Sequence, residues 1–511
     1  MKRLSILILA CAIASGCAAR ADEENMADKS AAKMEDGGKP EPRLFETQGS
    51  VTVGGKPVRY HATAGETFIK NDKGEPTASI FSTTYIADAK ADPKTRPVAF
   101  IFNGGPGSAS LWLHMGVFGP KRVKLPDVDG PKDDGAAPFD IEPNPYSLLD
   151  TADLVFIDPV GTGWSRTIGA AKGDEFWGVN EDAASLREFI RLWLVEHKRW
   201  NSPKYLIGES YGTTRSAALI DALENGWTDI AMNGVVLISS VLNFGLDATD
   251  PGNDVGFVGL FPSYAATAWY HGKIDKEKWG GDETKFLEAA RAFAVDDYLP
   301  ALLKGQLLAA DQRRQIVAQI SGFTGLKTAY VAQSDMRIPL GHFMRELLRD
   351  KGLTVGRLDS RFTGVEPSGV SEDPEADPSA YGIDGAYTAA MLDYFSRDLN
   401  VDITDRYVTL GGVRQWNWKT NGAGGDNSYV NVAPYIERAM RQNRDLRVFS
   451  ANGYYDMATP FFGTELTLAQ PAFDRTRLSI HYYAAGHMMY IHEPSLEKLT
   501  GDIRAFVKGG N

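Results

Sequence analysis

The chain has 511 residues, a mass of 55.8 kDa and a formal charge of −12, from 54 Lys and Arg against 66 Asp and Glu. Hydrophobic residues make up 43% and charged residues 23%, with Gly and Pro at ordinary levels. These figures exclude a disordered, collagenous or polytopic membrane protein, and the acidic balance argues against a nucleic-acid partner, which would call for clustered Lys and Arg.

In chain order, Met1-Lys2-Arg3 and the apolar run Leu4 to Ile13 are too short to span a bilayer and are followed by small residues. Residues 1–21 are therefore read as an export signal. Gly16-Cys17 resembles a bacterial lipobox, which would cleave before Cys17 and lipidate it. Ala14 stands where that pattern prefers Leu, and cleavage after Ala19-Arg20-Ala21 is the alternative. Membrane contact is expected only through such an anchor. Residues 22–45 are polar and read as a flexible tether. Cys11 and Cys17 are the whole cysteine supply. The body is thus expected to lack disulfides, a thiolate nucleophile and a cysteine zinc site.

Residues 46 to 90 alternate apolar and polar around Gly54-Gly55 and Asn71-Asp72-Lys73-Gly74, which predicts β-hairpins. From residue 97, short continuous apolar runs appear at 98–102, 154–157, 205–207 and 235–238, as in strands buried on both faces. Ala183, Leu186, Ile190, Trp193 and Leu194 recur at helical spacing between them. The alternation predicts an α/β fold, with a mainly parallel sheet covered on both faces. After about residue 250 helical segments are expected near 282–303, 309–320, 335–350 and 386–399. The sheet rhythm returns at 446–449 and 478–483. The chain divides into a first core part (46–250), a mostly helical insertion (251–400) and a second core part (401–511).

The chemical signal begins at Gly208-Glu209-Ser210-Tyr211-Gly212, a Gly-x-Ser-x-Gly between a predicted strand and a predicted helix. That context suits a nucleophile elbow with Ser210 as nucleophile. The bland alternative is a strand-to-helix turn with a capping serine. A serine needs a base, and the base needs an orienting acid. Asp456 and His487 both lie just past predicted strands and supply them in the order Ser, Asp, His. Of the later histidines, His481 falls inside a strand and His492 lacks a preceding Gly. Asn103-Gly104-Gly105-Pro106-Gly107 follows the strand ending at Phe102, where an oxyanion-hole loop belongs. No cofactor or metal is expected, since no His-Glu-x-x-His or cysteine cluster is present.

Together, Asn-Gly-Gly-Pro-Gly, Gly-Glu-Ser-Tyr-Gly, the Gly-x-x-Asp ending at Asp456 and the closing Gly486-His487 resemble the serine carboxypeptidase family. Asn144-Pro145-Tyr146-Ser147 and the stretch Asp158 to Ser165 match further landmarks. The resemblance covers about residues 46 to 505. It implies an α/β-hydrolase fold with a helical cap and removal of single residues from peptides with a free C-terminus. It further implies a Ser210–Asp456–His487 triad and an oxyanion hole from the N–H groups of Gly105 and Tyr211. Asn103, the Gly104 N–H and Glu209 would hold the substrate carboxylate. A carboxyl binds a carboxylate only when protonated, because two ionised groups repel.

Three positions depart from the pattern. Val117 stands where a second acid commonly partners the Glu, Ile101 replaces a frequent Trp, and Ser108 replaces a typical Cys. Val117 predicts a pH optimum less acidic than is usual in the family. The rival readings are an esterase or acyltransferase with the same triad, and a lipid-anchored binding protein that has lost activity.

Overall fold

A computed structural model describes residues 41–89, 92–128, 135–226, 228–420 and 429–510. The export signal, Cys17 and nearly all of the tether lie outside the described residues. The hairpin region forms three long strands: β1 (Leu44–Val53), β2 (Lys56–Lys70) and β3 (Pro76–Ala87). Gly54 and Gly55 make the first turn with φ of 54° and 75°, a region that L side chains rarely enter. The apolar runs become β4 (Val98–Phe102), β5 (Asp153–Ile157), β6 (Lys204–Glu209) and β7 (Gly234–Ile238). After a long helical region come β8 (Arg447–Gly453) and β9 (Leu478–Tyr483).

These strands make one sheet in the order β1-β2-β3-β5-β4-β6-β7-β8-β9, with the two-residue strand Arg166–Thr167 paired beside β3. Pairing is antiparallel from β1 through β5 and parallel from β5 to β9. The parallel strands must be buried on both faces, because crossover helices cover them. Along β4, Phe100 and Phe102 pack into one core with α1 (Val179–Glu196) and α2 (Tyr211–Glu224). Ala99 and Ile101 point the other way, into a core shared with the C-terminal helix Glu493–Val507. Each large side chain buried in this way contributes about 1.5–3 kcal/mol.

The helical region between β7 and β8 has a core of its own. Helices Glu283–Phe293, Leu299–Lys304, Ala310–Thr324 and Asp384–Arg397 lie close to the expected positions. The segment expected over 335–350 has a single short α-helix, Leu340–Glu346, and enters a 3-10 turn at Arg349, because Asp335 and Met336 take left-handed backbone and Pro339 precedes the first turn. Helix Asp254–Tyr270 was not anticipated; all but three of its residues are buried, so it carries no amphipathic period. Among the described residues, no helix is long and apolar enough to cross a membrane.

Candidate active site

The site lies at the carboxyl ends of β4, β6, β8 and β9. Ser210 follows β6 directly and adopts φ 60° and ψ −130°, a conformation that costs a non-glycine residue on the order of 1–3 kcal/mol. Two glycines make this turn possible. A Cβ on Gly208 would collide with the Gly212 carbonyl, and one on Gly212 would sit 3.0 Å from the Phe102 carbonyl. Ser210 precedes α2 but makes no side-chain capping bond, so its hydroxyl is not spent on the helix end. It is partly exposed while Glu209 and Tyr211 on either side are buried.

Asp456 and His487 are brought together. His487 Nδ1 lies 2.8 Å from Asp456 Oδ2. The Asp456 carboxylate also accepts from the N–H groups of Ala458 (2.7 Å) and Thr459 (2.9 Å) and from Thr459 Oγ1 (2.7 Å). Burial opposes the charged form of His487, but Asp456 and then Glu209 outweigh it and hold the imidazole above its usual range. Among the described residues no hydrogen bond joins Ser210 Oγ to His487; catalytic contacts of this kind often tighten only with substrate. The two loops nonetheless adjoin: Ser210 N–H donates to Ile238 O, and Ser239 Oγ of the next residue donates to His487 O at 2.6 Å. His481 pairs with Ser479 and Asp502, and His492 with Ser495 and Asp127, so both are occupied elsewhere.

The Asn-Gly-Gly loop packs against the elbow. A Cβ on Gly104 would lie 2.5 Å from Tyr211 N, so only glycine permits this approach. Gly105 has φ 103°. Among the described residues, neither the Gly105 N–H nor the Tyr211 N–H is engaged by another group. The Tyr211 N–H is one of the donors a helix start leaves open, at its positive end. Asn103 accepts from Leu113 N–H at 3.1 Å and donates through Nδ2 to Glu209 Oε2. Glu209 is only 3% exposed, and burial pushes its carboxyl up to about 7. Its Oε2 also accepts from Tyr490 Oη at 3.1 Å, whereas Oε1 is buried with no partner. Val117 is fully buried in the core below.

Sequence reasoning missed several residues. Arg215 on α2 is buried, pairs with Asp182 of α1 at 2.6 Å and donates to the Asn103 carbonyl, pinning the loop from beneath. A segment from the helical region props the histidine side. His487 N–H donates to Leu358 O (2.6 Å), Gly486 N–H to Asp359 Oδ2 (3.0 Å) and Met457 N–H to Arg357 O (3.1 Å). Arg361 in turn holds Asp359 at 2.7 Å. The three bonds to the catalytic loops join residues 100 or more positions apart, and no local pattern announces them.

The sequence profile of the family described as serine carboxypeptidase matches residues 73–489, most of the chain. Curated relatives include serine carboxypeptidase-like 16 of Arabidopsis thaliana, 28% identical over 32% of this chain and 37% of that one. Serine carboxypeptidase ctsa-3.1 of Caenorhabditis elegans is 25% identical over 38% of this chain and 31% of the other. The chain thus spans about a third of the length of these relatives. Among solved structures, it is similar to a prohormone-processing carboxypeptidase of Saccharomyces cerevisiae (14% identity, TM-score 0.48, covering 88% of this chain and 91% of that one). The mainly parallel sheet flanked by helices is that of an α/β hydrolase. With its profile matched over most of its length, the chain belongs to the serine carboxypeptidase family.

Proposed function

We propose that the protein is a serine-type carboxypeptidase that releases C-terminal residues from peptides through an acyl-enzyme on Ser210. His487 takes the Ser210 proton as Oγ attacks the last peptide carbonyl, and then gives it to the departing amine. Asp456 holds the Nδ1–H of the ring and stabilises the imidazolium. The N–H groups of Gly105 and Tyr211 receive the oxyanion. Water, deprotonated by the same histidine, then releases the shortened peptide. The observation that carries the exopeptidase reading is Glu209. A buried carboxyl beside the nucleophile, neutral up to about 7 and with Oε1 unpartnered, is a receptor for a terminal carboxylate. Asn103 and the Gly104 N–H complete that receptor. An esterase has no use for such a group.

The test is mass spectrometry of free-acid peptides and their C-terminally amidated twins, with wild-type protein and Ser210→Ala. Stepwise trimming of the free acids alone, abolished in the variant, is the expected result. Ser210-dependent cleavage of simple esters with no peptide trimming would move the reading to esterase or acyltransferase. The protein is further proposed to be exported and anchored by a lipid on Cys17. The mass of the mature N-terminus separates a lipidated Cys17 from an unmodified Asp22.

A further inference from the structure

The family's second acid is replaced by Val117, yet Glu209 is not left without a donor. Its Oε2 accepts two bonds, from Asn103 Nδ2 and from Tyr490 Oη at 3.1 Å. Its Oε1 accepts none and is buried. An oxygen that receives two donors is the carbonyl-like oxygen of a neutral carboxyl, so the proton belongs on the other. Gly116, next to Val117, makes room for this arrangement. A Cβ there would lie 2.6 Å from Tyr490 Cε2 and 2.6 Å from Tyr387 Oη. The groups facing Glu209 are Tyr490 and His487 from the loop after β9, Asp456 from the loop after β8, Asn103 after β4 and Tyr387 from helix Asp384–Arg397. The Tyr490 hydroxyl is itself held protonated by burial, and so stays a donor.

We propose that Tyr490 is a positioning residue which, in place of the second acid, donates to Glu209 Oε2 and so leaves the carboxyl proton on Oε1 for the substrate's terminal carboxylate. The use assigned to that proton rests on the carboxypeptidase reading; its placement does not. A tyrosine differs from an acid here because it brings no second negative charge to the site.

The test uses full-length Tyr490→Phe, which keeps the ring, and Gly116→Ala, which displaces it. A donor to Oε2 favours the ionised form of Glu209, so removing it moves the titration of Glu209 to higher pH. The Glu209 carboxyl is followed by 13C NMR on protein labelled at glutamate, with the signal assigned from Glu209→Gln. We expect that upward movement in both variants. In kinetics, KM for a free-acid peptide rises about tenfold, the loss of one oriented hydrogen bond. Ser210-dependent hydrolysis of a simple ester is unchanged. A Glu209 titration that does not move, or equal losses on peptide and ester, would overturn the proposal. A titration that moves in a protein whose wild type trims no peptide would sustain the proton placement and remove the carboxypeptidase reading instead.

Discussion

Ser210 and His487 are held by different parts of the chain. The serine side is built on the sheet: β6, the single turn residue Ser210 and α2, with Gly104 after β4 packed onto Tyr211 N and Arg215 reaching back to the Asn103 carbonyl. The histidine side is assembled from afar. Asp456 and His487 follow β8 and β9, but Tyr455 and Met457 on either side of the acid are buried in the core of the helical region. Residues 357–360, just after the strand Leu353–Val355, then bond to both loops. One half of the site is therefore held by the sheet, and the other half by the sheet and the helical region together.

The strongest break removes the chemistry on each side. Ser210→Ala is expected to lower kcat by about 10⁴-fold or more, and Asp456→Asn by about 10⁴-fold, with folding intact. Rates within tenfold of wild type for either variant would contradict the triad. Next, Arg215→Ala strips the serine side of its buried brace. It leaves Asp182 charged and unpaired, which costs about 3–5 kcal/mol, read as a lower denaturant midpoint. A midpoint unchanged from wild type would show that the pair is dispensable.

Asp359→Ala probes the other side. It removes the acceptor for Gly486 N–H and the partner of Arg361 without touching the reacting atoms. A displacement of about 1 Å at a catalytic group can cost about 100-fold, so a loss of about 10- to 100-fold in kcat is expected. An unaltered kcat would mean that β8 and β9 alone position the histidine. The smallest effect belongs to Thr459→Val, which deletes the bond to Asp456 Oδ2 and the longer 3.2 Å contact with His487 Nδ1, and should cost about 1 kcal/mol of activation energy, near fivefold in kcat. A full tenfold or greater loss would place Thr459 nearer the centre of the machinery.

The same contrast explains what could be read in advance. Gly208, Ser210, Gly212 and the Asn103–Gly107 loop advertise themselves, because a strained turn and a close backbone approach admit few residue types. Phe100 against Ile101 shows why the buried strands were legible as apolar runs but their facing was not: both neighbours are buried, on opposite sides. Helix Asp254–Tyr270 was invisible for the same reason, being apolar around nearly its whole circumference. Asp359 and Arg361 look like ordinary surface charges in the sequence. Only the docking of distant loops turns them into a brace. Tyr490 was in plain view three residues beyond His487, but its hydroxyl has meaning only beside Glu209, 281 positions away.

The proposed function rests on a neutral Glu209 that receives the substrate's carboxylate next to a histidine that must be unprotonated to act. The pH dependence of kcat/KM for a free-acid peptide, set against that for a simple ester, tests it most directly. His487, held above its usual range, gives both substrates a limb that rises with pH. Glu209 ionises at about 7 and then repels the carboxylate, so only the peptide should lose activity as the pH climbs further. A bell with its maximum near neutrality is expected for the peptide and a plateau for the ester. A peptide optimum at or below about 5, or an alkaline fall shared equally by the ester, would contradict it.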